Sequence, residues 1–136
     1  MGFDKDYMDA WNTLDEDTFV EMFAPDGVYS DATMAVSYEG RDEIRRMHQA
    51  TMAFYKQPQF NHVSGIANDR QYAVEWVSVT VIDGNEWTTR VVSVGELDEN
   101  GKIIENRDYW NPATVPTSGY DMSVEKAAFE ERTSGS

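Results

Sequence analysis

QYAVEWVSVTVIDGNEWTTRVVSVGEL, residues 71–97, decides the fold. Two runs rich in valine, tyrosine, tryptophan and threonine flank Asp83-Gly84-Asn85, a sequence suited to tight hairpin turns. They predict paired strands over Gln71 to Ile82 and Glu86 to Leu97. Successive strand side chains point to opposite faces. Tyr72, Val74, Trp76, Ser78 and Thr80 therefore share one face, and Ala73, Glu75, Val77, Val79 and Val81 the other. Both faces are rather apolar. One lines a core or pocket, and the other is expected to meet a second copy of the chain, since monomers rarely expose large apolar patches.

The pattern continues outward. Strands are expected at Gln59 to Ala67 and Lys102 to Trp110, joined through Asn68-Asp69 and Asp98-Glu99-Asn100-Gly101. Upstream the period changes. Tyr7, Trp11 and Leu14 recur at helical spacing and predict a first helix over Asp4 to Leu14. Asp15 is a suitable N-cap for a second, short helix that buries Phe19, Val20, Met22 and Phe23 and stops at the turn sequence Pro25-Asp26-Gly27. A short strand follows from Val28 to Met34. A third helix after Gly40 presents Ile44, Met47, His48, Thr51, Phe54 and Tyr55 on one face and ends at Pro58. Helices at one end and an antiparallel sheet at the other give an α+β layout, with a curved sheet closing around an apolar pocket. Residues 1–112 form the expected domain. Beyond it, a loop to Tyr120, a short helix over Ser123 to Arg132 and a flexible end are expected.

With 11 Lys plus Arg against 25 Asp plus Glu, the formal charge is -14. Such a surface repels the phosphates of nucleic acid and anionic membranes. There is no cysteine, so neither a disulfide nor a thiolate metal site is possible. No apolar run reaches membrane-spanning length and the first residues do not read as a signal peptide, so a cytoplasmic location is expected.

YMDAWNTLDEDTFVEMFAPDGVYSD, residues 7–31, looks like the start of ketosteroid isomerase, with Gly40 matching the glycine that opens its third helix. The whole element order resembles the nuclear transport factor 2-like superfamily, which also includes SnoaL-type cyclases, limonene epoxide hydrolases and scytalone dehydratase. The resemblance implies a cone-shaped fold: a strongly curved antiparallel sheet with three packing helices. It also implies roles. Tyr7 stands where ketosteroid isomerases keep a hydrogen-bonding tyrosine and Asp31 where they keep the proton-shuttling aspartate; Ser93 replaces a second, protonated aspartate. Arg107-Asp108-Tyr109-Trp110 resembles the last strand of limonene epoxide hydrolases, with Asp108 at an acid position, but Trp76 and Ser78 stand near the places of that family's partner Arg and Asp. His62 resembles the catalytic histidine of scytalone dehydratase, and Asp15 the aspartate paired with it.

The residues themselves leave alternatives open. Asp31 precedes the apolar run Ala32-Thr33-Met34-Ala35-Val36, where desolvation raises a carboxylate toward a useful base; it also suits a turn cap. Tyr7 is equally a core aromatic whose hydroxyl needs a partner. His62 is a natural acid or base near neutrality, or a plain strand residue. His48 lies on an apolar helix face, and no metal-ligand spacing surrounds it. Asp108 among apolar neighbours needs a reason, either a salt bridge or a pocket role. Trp11, Trp76 and Trp110 are expected as pocket walls that select flat apolar ligands, with Ser93 and His48 beside them. The expected function is cofactor-independent acid–base catalysis, as a lyase or isomerase acting on a hydrophobic aromatic, polyketide, terpenoid or steroid-like molecule. A SnoaL-type cyclase and a non-catalytic binding module are the alternatives.

Overall fold

A computed structural model describes residues 2–82 and 84–112; the expected C-terminal loop, helix and flexible end lie outside the described residues. The elements are α1 (Phe3–Asn12), α2 (Glu16–Val20), β1 (Phe23–Asp31), β2 (Val36–Glu39), α3 (Gly40–Phe54), β3 (Lys56–Ala67), β4 (Gln71–Ile82), β5 (Asn85–Leu97) and β6 (Ile103–Trp110). One six-stranded curved sheet runs β2-β1-β6-β5-β4-β3, and the helices cover its inner face.

The β4 alternation holds along its whole length. Tyr72, Val74, Trp76, Ser78 and Thr80 are buried, while the opposite face is half-buried. The interior is largely aromatic: Tyr7, Trp11, Phe19, Phe23, Tyr29, Phe60 and Trp76 pack as one cluster. Each large side chain buried this way contributes on the order of 1.5–3 kcal/mol. Asn12 fastens α1 to β3 by donating to the Phe60 carbonyl at 2.7 Å and accepting from the Phe60 N–H at 3.0 Å. Asp15 caps α2, accepting from the Thr18 N–H at 2.9 Å. Arg41 ties α3 to β1 by donating to the Phe23 carbonyl.

Several local expectations change. Leu14 does not join the α1 stripe: the helix stops at Asn12, Leu14 takes a left-handed φ of 59°, and its side chain is exposed. The single strand expected over Val28 to Met34 is a hairpin of β1 and β2. The expected turn at Pro25-Asp26-Gly27 is a register break inside β1. Gly27 is required there, because a Cβ would stand 2.7 Å from the Ile103 carbonyl. Helix α3 ends before Pro58, which lies in β3 beside Gln57, itself at φ 49° where the β3–β4 register shifts. The sheet is antiparallel at every pairing except one: β1 runs parallel to β6, with Tyr29 beside Asn106 and Asp31 beside Asp108.

Candidate active site

The parallel pairing builds the site. Residues two apart on a strand share a face, and partners on neighbouring strands stand about 4.8 Å apart. Tyr29 and Asp31 on β1 thus meet Asn106, Asp108 and Trp110 on β6 as one polar patch on the inner face. The patch opens into a cavity of about 540 Å³. Its walls include Trp11, Tyr29, Phe60, Trp76, Trp87 and Trp110, with Asp31 and Asp108 among them.

Asp108 is buried and holds no cationic partner among the described residues. It accepts from the Ser93 hydroxyl at 2.5 Å, the Asn106 side-chain amide at 2.9 Å and the Tyr29 hydroxyl. The donors are held in turn: the Trp76 indole N–H donates to Ser93 at 2.9 Å, and the Tyr72 hydroxyl donates to Asn106 at 2.5 Å. Each of the three bonds to Asp108 favours the charged carboxylate, yet burial outweighs them and pushes its pKa up from 3.8 to about 6. The group therefore changes charge close to neutrality, where proton transfer is most useful.

Asp31 is both things the sequence allowed. Its carboxylate caps a turn, accepting from the Met34 N–H at 3.0 Å, and it also faces the cavity. The Trp110 indole N–H straddles its two oxygens at 3.1 and 3.0 Å. Desolvation raises the Asp31 pKa; the Met34 and Thr33 backbone and the Trp110 indole oppose the rise. Thr33 locks the turn to β6, donating its hydroxyl hydrogen to the Trp110 carbonyl at 2.8 Å and accepting from the Trp110 N–H at 2.9 Å.

Of the sequence-derived candidates, Asp31, Asp108, Trp11, Trp76 and Trp110 line the cavity. Tyr7 and Ser93 lie behind the wall, fully buried. The Tyr7 hydroxyl has no partner in hydrogen-bond geometry, and its neighbourhood of Trp11, Ser93 and Tyr29 bears on its acidity less than burial does, which drives its pKa well above 10. It is a neutral phenol aimed at the Asp108 network. His48 does not reach the cavity. It stacks on Trp11 at 5.6 Å and Phe19 at 5.0 Å, and burial lowers its pKa, so it sits neutral in the core.

His62 also departs from expectation. Its Nε2 lies 2.6 Å from Asp4 Oδ2, at the junction of α1 and β3 and away from the cavity lining. Asp4 in the first turn of α1 reaches this part of β3 and meets the imidazole, which stays partly open to solvent. Asp15 is occupied as the α2 cap and is not its partner.

Tyr29 and Trp87 are among the wall residues that were not singled out as site candidates. Tyr29 precedes Asp31 by two positions, so strand alternation alone puts it on the same face. Trp87 carried the same signal on β5. Among the described residues, no group of three or more His, Asp and Glu side chains is arranged to hold a metal ion.

Solved structures share this architecture. A protein with a ketosteroid isomerase-like fold from Catenulispora acidiphila, in complex with trimethylamine, matches with a TM-score of 0.74 and 18% identity over 82% of this chain and 86% of that one. SalBIII, described as an epoxide hydrolase/cyclase-like enzyme in pyran ring formation in the polyether salinomycin, matches with a TM-score of 0.72 and 20% identity over 82% of this chain and 89% of that one. No curated protein matches the chain. The SnoaL-like domain family matches residues 5–106, from the first turn of α1 into β6 as far as Asn106, and the chain belongs to that family.

Proposed function

We propose that this chain is a cofactor-independent acid–base enzyme acting on a hydrophobic small molecule, with Asp31 as base and Asp108 as acid. The observation that carries the reading is the pairing of two carboxyl groups, both raised by burial, in adjacent register on one wall of an aromatic cavity. Asp31 takes a proton from carbon beside a carbonyl or a leaving group. Asp108, in its protonated fraction, delivers a proton to the developing oxygen, and Tyr29 donates to the same position. Ser93 and Asn106 hold Asp108 in place, and Tyr7 closes the back of the network. His62 anchors α1 in this scheme. Isomerisation, elimination and ring closure all follow from such a pair. Ring closure by epoxide opening is a second reading favoured by the same juxtaposition, since one carboxyl would protonate the epoxide oxygen while its neighbour takes the attacking hydroxyl's proton.

Hydrogen–deuterium exchange tests the base without the natural substrate. The α-protons of β-tetralone should exchange faster in the presence of the protein, and Asp31→Asn should slow that catalysed exchange by about 10²–10⁴. Equal rates for the variant and the parent protein would remove Asp31 from the mechanism. The catalysed rate should fall as pH rises past about 6, where Asp108 loses its proton, and Asp108→Asn should abolish that limb.

A second copy of this chain is the partner proposed for the outer sheet face. Ile66, Ala73 and Val94 align across β3, β4 and β5, with Val92 and Tyr109 paired beside them. Charges on this face are partly neutralised within it, by Arg90 with Glu75 and by Arg107 shared between Glu96 and Glu105. Sedimentation equilibrium should give a dimer that becomes a monomer in the double variant Ile66→Glu, Val92→Glu.

A further inference from the structure

Arg46 is the one cation among the described residues that line the cavity, and the reaction assigned to Asp31 and Asp108 does not use it. It stands on α3 among exposed residues: Arg46, Ala50 and Phe54 are the lining side chains open to solvent, so they mark the mouth. Asp108 is buried together with Trp11, Phe60 and Trp76, which mark the closed end. Of the other described arginines, all but Arg70 have side-chain partners. Arg45 pairs with Asp17 and Glu16, Arg90 with Glu75, Arg107 with Glu96 and Glu105, and Arg41 holds the Phe23 carbonyl. Arg46 has no ion pair or hydrogen bond among the described residues, although the chain carries 25 acidic side chains.

We infer that Arg46 selects substrates with a carboxylate on the end remote from the reacting atoms. The cavity is then polarised along its length. Its closed end carries two carboxyl groups that repel an anion, and its mouth carries a planar guanidinium whose paired N–H groups match a carboxylate. A ring system with one acidic tail can enter in one orientation only, neutral end first, which brings that end to Asp31 and Asp108. The long-range field of a chain with formal charge -14 opposes any anion, so the recognition has to be local. This specificity rests on the cavity being the reaction chamber, but its test does not need turnover.

Isothermal titration calorimetry with naphthoate, naphthylmethanol and naphthylmethylammonium varies only the tail on a constant ring. Naphthoate should bind about tenfold tighter than the alcohol, as expected for a charge-assisted bond at a partly exposed site. Arg46→Gln should remove that preference while leaving the alcohol's affinity unchanged. Arg45→Gln, on the neighbouring arginine that faces Asp17, should leave all affinities unchanged. Equal binding of naphthoate and alcohol, a carboxylate preference that survives Arg46→Gln, or tighter binding of the ammonium would overturn the role of Arg46 and leave the chamber intact. Failure of all three probes to bind would overturn both.

Discussion

Two aspartates among the described residues are nearly buried, and they have opposite fates. Asp108 sits in the sheet interior with three neutral donors, and its pKa rises to about 6. Asp4 sits where α1 meets β3, with the His62 imidazole 2.6 Å away, and that hydrogen bond holds its carboxyl below the ordinary range despite desolvation. Both have good hydrogen bonds. The difference is which effect wins: desolvation outweighs the hydrogen bonds at Asp108, while the hydrogen bond to His62 outweighs desolvation at Asp4. The first site is left with a carboxyl whose charge the fold tolerates poorly, which suits chemistry. The second is a structural clasp.

The two acids must therefore bend the stability curve in opposite directions. Asp108 binds its proton more tightly folded than unfolded, so its stabilising effect is complete below 3.8 and is lost as pH rises through about 6. The span corresponds to about 3 kcal/mol. Urea unfolding from pH 4 to 7 should show that decline, and Asp108→Asn should flatten it. A decline of the same size in the variant would mean another group carries the strain.

Ser93→Ala sharpens the same contrast at a smaller scale. It removes a donor to Asp108 and strands the Trp76 indole N–H in the interior. A buried polar group left unsatisfied costs about 1–3 kcal/mol. Stability at neutral pH should fall by that amount, and the Asp108 pKa should rise further, moving the alkaline limb of the catalysed exchange above pH 6. A loss of stability with an unmoved limb would separate Ser93 from the carboxyl.

The strands and the faces of the sheet were legible because burial imposes a period of two on residues 71–97, and no competing pattern interrupts it. The tryptophan walls followed from the same alternation. The neighbouring of Asp31 and Asp108 was not legible. It depends on β1 and β6 pairing in parallel across 77 positions of sequence, and hydrophobic periodicity within a strand says nothing about which strand lies beside it. The β1–β2 hairpin was hidden because Ala32-Thr33-Met34-Ala35 lacks turn-forming glycine or asparagine; Ala35 takes a φ of 55° instead. The contact of His62 with Asp4 was not legible, because β3 alternation gives its face but not which α1 residue reaches it. Arg46 carried no motif at all. Its interest comes from what it fails to contact, which a sequence does not display.

The smallest effect is expected at the clasp, where the comparison is also easiest to break. Asp4→Asn keeps the shape and removes the charge beside His62. Because the folded carboxyl holds its proton more weakly than the unfolded one, the pair's contribution is present above 3.8 and is lost as pH falls through the lower folded value, the reverse of Asp108. The variant should lose about 1 kcal/mol at neutral pH, at the low end for a charged hydrogen bond because the site is partly open to water. The amides of α1 should exchange with solvent faster, since Asp4 lies in its first turn and the Asn12 bonds to Phe60 remain at its far end. The rate of β-tetralone exchange should stay within about twofold of the parent, because Asp4 and His62 stand outside the cavity lining. A loss of exchange activity on the scale of a missing general acid or base, about 10²–10⁴, would make the clasp the catalytic dyad and reduce Asp108 to a strained member of the core.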